Sequence, residues 1–285
     1  RETGKPRWES RTEVAAVAGK VELSIQAAAE RTGESSIPQA GGTSARLRYR
    51  PHGVVAVFGP FNMPAHLPNG HIVPALLAGN AVVFKPSEAT PATGAYLQQC
   101  LIDAGIPSEL LQIVQGARAT GAALAAHAGV DGIYFTGSSA TGEALHRSLA
   151  GQPWRILALE MGGNNPLIAW GPGDPEAAAY HILLSAYITA GQRCTCARRL
   201  LLPAGAGGDA HVAALIARLD RVRVGPYTDS PEPFTGSVIH EPAAAAVLAA
   251  QQRLKNAGGV TLRESRALRE LPPENKRGRK GGSAR

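Results

Sequence analysis

Only three cysteines, Cys100, Cys194 and Cys196, occur in 285 residues. That number and spacing cannot build a disulfide framework, and Cys-x-Cys without nearby histidines is not a zinc-site pattern. A reducing compartment and no metal centre are therefore expected. No apolar run approaches the roughly eighteen residues of a membrane span, and the opening Arg1-Glu2-Thr3-Gly4-Lys5 lacks a signal peptide's apolar core. These absences predict a soluble cytoplasmic protein with no membrane partner. The first residue is not Met and the sequence reads as starting inside a helix, so the natural N-terminus is expected upstream.

Excess charge is also scarcer than the net +7 suggests. Lys276, Arg277, Arg279, Lys280 and Arg285 against Glu274 supply four of those seven charges within the last fourteen residues. A basic Gly-rich tail of this kind binds polyanions without specificity, so no specific nucleic-acid partner is expected. What is present in quantity is apolar residue (44%) and glycine (33 residues), beside 18% charged residues. That balance excludes disordered and fibrous classes and fits a loop-rich α/β enzyme.

Apolar Val14, Val17, Val21, Ile25 and Ala28 recur at helical spacing and predict an opening helix over 12–30 with that face inward. Residues 33–51 read as an exposed arm or edge strand. Beyond them short apolar runs at 54–58, 81–84, 112–114, 132–135 and 156–159 alternate with helical patterns. Continuous apolar strands separated by helices imply an open parallel sheet covered on both faces. A second series follows Gly162-Gly163: strands at 167–170 and 199–202, and helices over about 175–189, over 210–223 and from about Pro242. The expected organisation is a first domain over 1–162, a partial second domain over 163–265 and an atypical basic tail over 266–285, with no internal repeat.

Four features carry chemistry. Cys194 follows a predicted helix and the Gly191-Gln192 break, and Arg193 beside it favours a thiolate by Coulomb attraction. Glu160 stands at the carboxyl end of a strand, where the active-site groups of open α/β sheets collect. Leu159 and Met161 are the neighbours that would lift its pKa towards that of a water-activating base. Asn62, in Gly59-Pro60-Phe61-Asn62-Met63-Pro64, is placed to donate its amide to an oxyanion, with the Cys194 N–H as a second donor. Two strand-end turns offer nucleotide contacts. Gly137-Ser138-Ser139-Ala140-Thr141-Gly142 opens a helix whose free N–H groups suit a pyrophosphate. Lys85-Pro86-Ser87-Glu88 suits ribose hydroxyls, and a carboxylate there repels a 2′-phosphate, favouring NAD over NADP. Each has an ordinary alternative: a buried free thiol, an exposed strand-end Glu, a turn Asn, a strand–Gly–helix turn without ligand, a solvated turn. Cys196 and Cys100 read as structural.

In order and spacing, Asn62, Phe84-Lys85-Pro86-Ser87-Glu88, Phe135-Thr136-Gly137-Ser138, Leu159-Glu160-Met161-Gly162-Gly163-Asn164 and Gly191-Gln192-Arg193-Cys194 resemble the aldehyde dehydrogenase superfamily. The resemblance implies an NAD-binding domain over 1–162, a partial catalytic domain over 163–265, and NAD as cofactor. It makes Cys194 the nucleophile, Glu160 the general base and Asn62 the oxyanion donor. Lys85, Ser87 and Glu88 become ribose-side contacts, and Gly137, Ser138, Ser139, Ala140, Thr141 and Gly142 the phosphate-side turn. The implied reaction oxidises a small-molecule aldehyde through a thiohemiacetal and a thioester. Residues 59–71, 160–166 and 191–199 resemble, more narrowly, the family that oxidises N-succinylglutamate 5-semialdehyde in arginine breakdown. Its substrate carries two carboxylates, so Arg193 is a candidate clamp; a structural or thiolate-tuning Arg is the alternative. The resemblance covers residues 1 to about 265. It implies a homo-oligomeric parent whose late strand pairs with the 33–51 arm, and a chain truncated at both ends. Rival expectations are an enzyme for another semialdehyde or for coenzyme A transfer, a silent fragment, and a nucleic-acid binder using the tail.

Overall fold

The computed structural model describes residues 1–171 and 173–268. These fall into two compact units, the first running Arg1–Ile239 and the second beginning at His240. The first contains, in chain order, α1 (Arg7–Arg31), β1 (Ser35–Pro38), β2 (Ser44–Leu47), β3 (Val54–Phe58), α2 (His66–Leu77), β4 (Ala81–Lys85), α3 (Pro91–Asp103), β5 (Leu111–Ile113), α4 (Arg118–Ala126) and β6 (Gly132–Gly137). It continues through α5 (Ser139–Leu149), β7 (Ile156–Met161), β8 (Asn165–Ile168), α6 (Pro175–Tyr187), β9 (Ala197–Leu201) and α7 (Ala206–Leu219). The expected boundary near Gly162 therefore lies inside one compact unit. The second unit contains α8 (Glu241–Asn256), whose first turn is capped by the His240 ring accepting the Ala243 N–H at 3.0 Å. The basic tail from residue 269 onward lies outside the described residues.

The expected open parallel sheet is present, with five strands in the order β5-β4-β3-β6-β7, every pair parallel. The apolar runs form strands because helices cover both faces. On one face Val55, Val57, Val82, Phe84 and Leu111 pack with Ile72 of α2. On the other, Ala56, Phe58, Ile133 and Phe135 pack with Leu145 and Leu149 of α5. Each fully buried side chain of this size contributes about 1.5–3 kcal/mol. The chain moves from β3 outward through β4 and β5, then returns to β6 on the other side of β3. That reversal creates a crevice between the loops after β3 and β6, where open α/β sheets bind ligands. It brings the Asn62 loop and the Gly137 turn to one edge.

β1 and β2 form an antiparallel hairpin with all eight residues exposed. Helix α1 departs from expectation. Val14 is 69% and Ile25 46% exposed, whereas Glu9, Glu13 and Ser24 are buried. The inward face is polar because the neighbouring loops present backbone donors. Glu13 Oε1 accepts the N–H groups of Ala65 at 3.0 Å and His66 at 3.2 Å, capping α2, while Lys5 pairs with the other Glu13 oxygen and donates to the Asn62 carbonyl at 2.8 Å.

Candidate active site

Cys194 is exposed at the end of a tight loop, and Cys196, two residues on, is 1% exposed. The segment expected to be extended is a turn, closed by the Cys196 N–H donating to the Arg193 carbonyl at 3.2 Å, and it leaves one thiol in solvent and the other in the core. Cys100 is exposed on α3, contrary to its expected packing role. The loop's conformation is costly by itself. Thr189 and Ala190 take left-handed φ values of 58° and 53°, followed by Gly191 at 72°, and each non-glycine residue there costs about 1–2 kcal/mol. Side chains from distant segments hold it. The Thr189 hydroxyl donates to Glu9, the Ala190 N–H donates to Thr235 Oγ1 at 2.8 Å, and Gln192 Nε2 donates to the Thr189 carbonyl at 3.1 Å.

Asn62, buried, approaches the same loop: its Nδ2 donates to the Gln192 carbonyl at 2.7 Å, and its Oδ1 accepts the Met63 N–H at 2.8 Å. An amide NH₂ carries two hydrogens, so this contact positions the group and leaves a second donor. Glu160 lies within β7, whose last residue is Met161, and is exposed. Leu159 packs on the opposite face of the sheet and Met161 reaches towards Gly142, so neither gives Glu160 the expected apolar enclosure. The backbone after it approaches Cys194: a Cβ placed on Gly162 would stand 3.9 Å from Cys194 Cα. Asn165 Nδ2 ties the two segments, donating to the carbonyls of Cys194 at 2.6 Å and Cys196 at 3.1 Å. Cys194, Asn62 and the Glu160 strand end are thus brought together.

Arg193 does not fit its expected part as substrate clamp. Its Nε donates to Thr189 Oγ1 at 2.7 Å and its Nη2 to Glu9 Oε1 at 3.1 Å, and the Glu9 side chain is only 1% exposed. A guanidinium held by a buried carboxylate already has its counter-charge inside the protein. Glu9, Thr189, Gln192 and Asn165 were not marked as site residues by the sequence. Their partners lie 3 to 184 residues away; Gln192 and Asn165 fall within the motif segments 191–199 and 160–166, while nothing in the sequence pointed to Glu9 or Thr189.

The residues expected to contact a nucleotide line the same sheet edge. Lys85 is 7% exposed, with Nζ 3.9 Å from Glu88 Oε2 and donating to the Pro86 carbonyl at 3.1 Å. Burial pushes its pKa down, and Glu88 opposes that effect. Ser87 Oγ accepts the Ala89 N–H at 3.3 Å. Ser138 caps α5 by accepting the Thr141 N–H at 3.3 Å, and the Ser139 hydroxyl reaches the Gly162 carbonyl at 3.3 Å. A Cβ on Gly137 would fall 2.5 Å from the Phe135 ring, and one on Gly142 2.3 Å from Met161 Sδ. Glycine at these positions lets the Phe135 ring and the Met161 side chain lie close against the turn, and the first turn of α5 opens at Ser139 and Ala140, a helix N-terminus of the kind that suits a pyrophosphate. Among the described residues no group of His, Cys, Asp or Glu could hold a metal ion, and no helix is long and apolar enough to cross a membrane.

An open parallel α/β sheet thus carries, at its carboxyl edge, a loop with an exposed thiol, a buried amide tied to that loop, and a glycine-bounded turn that opens a helix. The aldehyde dehydrogenase family model matches residues 1–278, and the chain belongs to that family. It is similar to N-succinylglutamate 5-semialdehyde dehydrogenase of Chromobacterium violaceum, 55% identical over 269 residues, which is 94% of this chain and 55% of that relative. Among solved structures it resembles lactaldehyde dehydrogenase from Escherichia coli, with TM-score 0.85 and 29% identity over 90% of this chain and 54% of that one. It also resembles a Mycobacterium tuberculosis aldehyde dehydrogenase complexed with NAD+, with TM-score 0.84 and 31% identity over 90% and 53%. The chain spans about half the length of these relatives. The family match runs past residue 265, where the sequence resemblance was expected to stop.

Proposed function

We propose that this chain supplies the cofactor-binding part and the nucleophile of an NAD-dependent dehydrogenase that oxidises N-succinylglutamate 5-semialdehyde in arginine breakdown. The observation that carries this reading is the meeting of Asn62, Gly162 and Asn165 around the Cys194 loop, with the Gly137–Gly142 cradle alongside. The Cys194 thiolate attacks the aldehyde carbon, and the resulting oxyanion takes hydrogen bonds from the free hydrogen of Asn62 Nδ2 and from the Cys194 backbone N–H. When bound, the nicotinamide cofactor supplies the hydride acceptor. Glu160 removes a proton from the water that attacks the Cys194 thioester, releasing the carboxylate product and regenerating the thiol. Lys85 and Glu88 fit ribose hydroxyls, and Glu88 disfavours a 2′-phosphate.

Residues 163–239 are the beginning of the catalytic part, and the exposed hairpin of β1 and β2 is the arm of a homo-oligomer. Arg193 braces the Cys194 loop through Glu9 rather than contacting substrate. The similarity to the Chromobacterium enzyme supports the choice of semialdehyde. The test is NADH formation by the intact protein. The expected result is a kcat/KM for N-succinylglutamate 5-semialdehyde at least about 100-fold above that for an uncharged aldehyde of similar length, a difference of about 2.7 kcal/mol. Equal values would contradict the substrate reading, and faster turnover with NADP would contradict the role of Glu88.

A further inference from the structure

A cavity of about 390 Å³ opens between the start of α1, helices α6 and α7, and the loop 221–234 that follows α7. Its size is that of a small-molecule site, and none of the residues that carry the proposed reaction lines it. Part of its wall is apolar: Leu183 of α6 and the rings of Trp8 and Phe234, whose centroids stand 6.2 Å apart. Its charged groups are Arg218, Arg221 and Arg223 against Glu176 and Glu232, so the lining is positive. Both carboxylates are already engaged, Glu176 Oε2 with Arg218 Nη2 at 3.2 Å and Glu232 Oε1 with the Trp8 N–H at 2.7 Å. Arg221 and Arg223, both exposed, supply the positive face that a ligand meets.

The wall of this cavity is continuous with the groups that brace the Cys194 loop. Trp8 precedes Glu9, which accepts from the Thr189 hydroxyl and from Arg193 Nη2. Phe234 precedes Thr235, whose Oγ1 accepts the Ala190 N–H at 2.8 Å. The Arg223 carbonyl accepts the N–H groups of Phe234 at 2.9 Å and of Thr235 at 3.4 Å, and the Trp8 indole donates to the Pro233 carbonyl at 3.1 Å. A ligand seated between the two rings and Arg223 therefore touches both segments that hold Thr189 and Ala190 in their left-handed conformation.

We infer that this cavity is a regulatory site for a small aromatic carboxylate, whose binding alters the reactivity of Cys194. The guanidinium groups of Arg221 and Arg223 take the carboxylate by charge-assisted hydrogen bonds. The flat ring lies against Trp8 and Phe234, where aromatic contact adds to the burial of apolar surface. A bare anion gains only the first of these interactions and a neutral aromatic only the second, so the site selects a ligand that has both. The left-handed residues are strained and keep their place only through partners such as Glu9 and Thr235. Small shifts of those partners therefore move the loop and the thiol it carries. The binding stands apart from the function reading; its effect on acylation rests on the reading of Cys194 as the nucleophile.

The test uses the intact protein with benzoate as the probe. Calorimetric titration is expected to give saturable binding with Kd below about 1 mM, weaker by about tenfold or more for benzamide, which lacks the charge, and for acetate, which lacks the ring. Arg221→Ser and Arg223→Ser, changes at exposed positions, should each weaken benzoate about fivefold or more. The second readout is p-nitrophenyl acetate, which acylates a reactive thiol without any cofactor; the fast release of p-nitrophenol reports acylation of Cys194. Saturating benzoate is expected to change the rate of that fast phase about threefold or more, and to leave it unchanged in the double variant Arg221→Ser, Arg223→Ser. No benzoate binding, or binding as tight in the double variant, would overturn the site. Binding that needs both arginines but leaves the fast phase unmoved would overturn the regulation and leave the function reading standing. No fast phase in the unaltered protein would overturn the reading of Cys194 and, with it, the regulation.

Discussion

The sheet over 54–161 and the Cys194 loop over 188–196 hold their candidate site residues by different physics. Strands β3, β4 and β6 are fixed by burial: Val55, Val57, Phe84 and Ile133 are all fully buried, and the turns at their carboxyl ends inherit that rigidity. The loop buries little apolar surface. It holds left-handed Thr189 and Ala190 with hydrogen bonds to Glu9 and Thr235 and from Gln192 and Arg193, and Asn62 and Asn165 tie it to neighbouring segments. The contrast teaches that the Gly137–Gly142 turn is insensitive to single polar substitutions, whereas the position of Cys194 depends on a few polar side chains drawn from the whole unit.

The largest expected effect is on chemistry. Cys194→Ala should reduce dehydrogenase turnover about 10⁴-fold or more, while Cys196→Ala, which removes a buried side chain, should keep the fast phase with p-nitrophenyl acetate and lose about 1 kcal/mol of stability in urea unfolding. Next, Phe84→Ala and Glu9→Ala separate the two regions. Phe84→Ala should destabilise the first unit by about 3–5 kcal/mol and leave the rate of Cys194 alkylation by iodoacetamide unchanged under native conditions. Glu9→Ala should cost about 2–3 kcal/mol, a buried-pair loss discounted for the 23% exposure of Arg193, and should change that alkylation rate several-fold. Equal alkylation behaviour of the two variants would break the comparison.

Gly142→Ala should weaken NAD binding about tenfold in a fluorescence titration, because the added Cβ displaces Met161 and tightens the cradle. Unchanged affinity would move the pyrophosphate site elsewhere. The smallest effect is on pH. The His71 pKa is lower in the folded than in the unfolded chain, so the unfolded chain binds its proton first. Stability should therefore fall as pH drops from the ordinary histidine range towards the folded value, then level off, by about 1 kcal/mol or less. In His71→Gln that slope should vanish from unfolding curves taken between about pH 5 and 7.

Much of the sheet was legible because strands buried on both faces declare themselves locally. Val54–Phe58 is expected and found with the same bounds, and the remaining strands lie within three residues of expectation. Helix α7 begins at Ala206, four residues before the expected Ala210, because Gly207-Gly208 read as loop but lie inside the helix. Cys194, Asn62 and Glu160 were legible as residues of a motif series. What braces them was not. Glu13 sits on what reads as the polar side of the expected helix and Glu9 lies before its expected start, and nothing in the spacing tells which carboxylate will meet a loop more than fifty residues away. Arg193 read as a ligand for a dianionic substrate because its partner, Glu9, is distant in sequence.

The most direct test of the account is to locate the covalent intermediate. The intact Glu160→Gln variant is mixed with p-nitrophenyl acetate, quenched in acid, digested and sequenced by mass spectrometry. A single acetyl group accumulating on Cys194, with Cys100 and Cys196 unmodified, is the predicted result. Acetylation at either of those two thiols, or no acetyl-thiol at all, would contradict it.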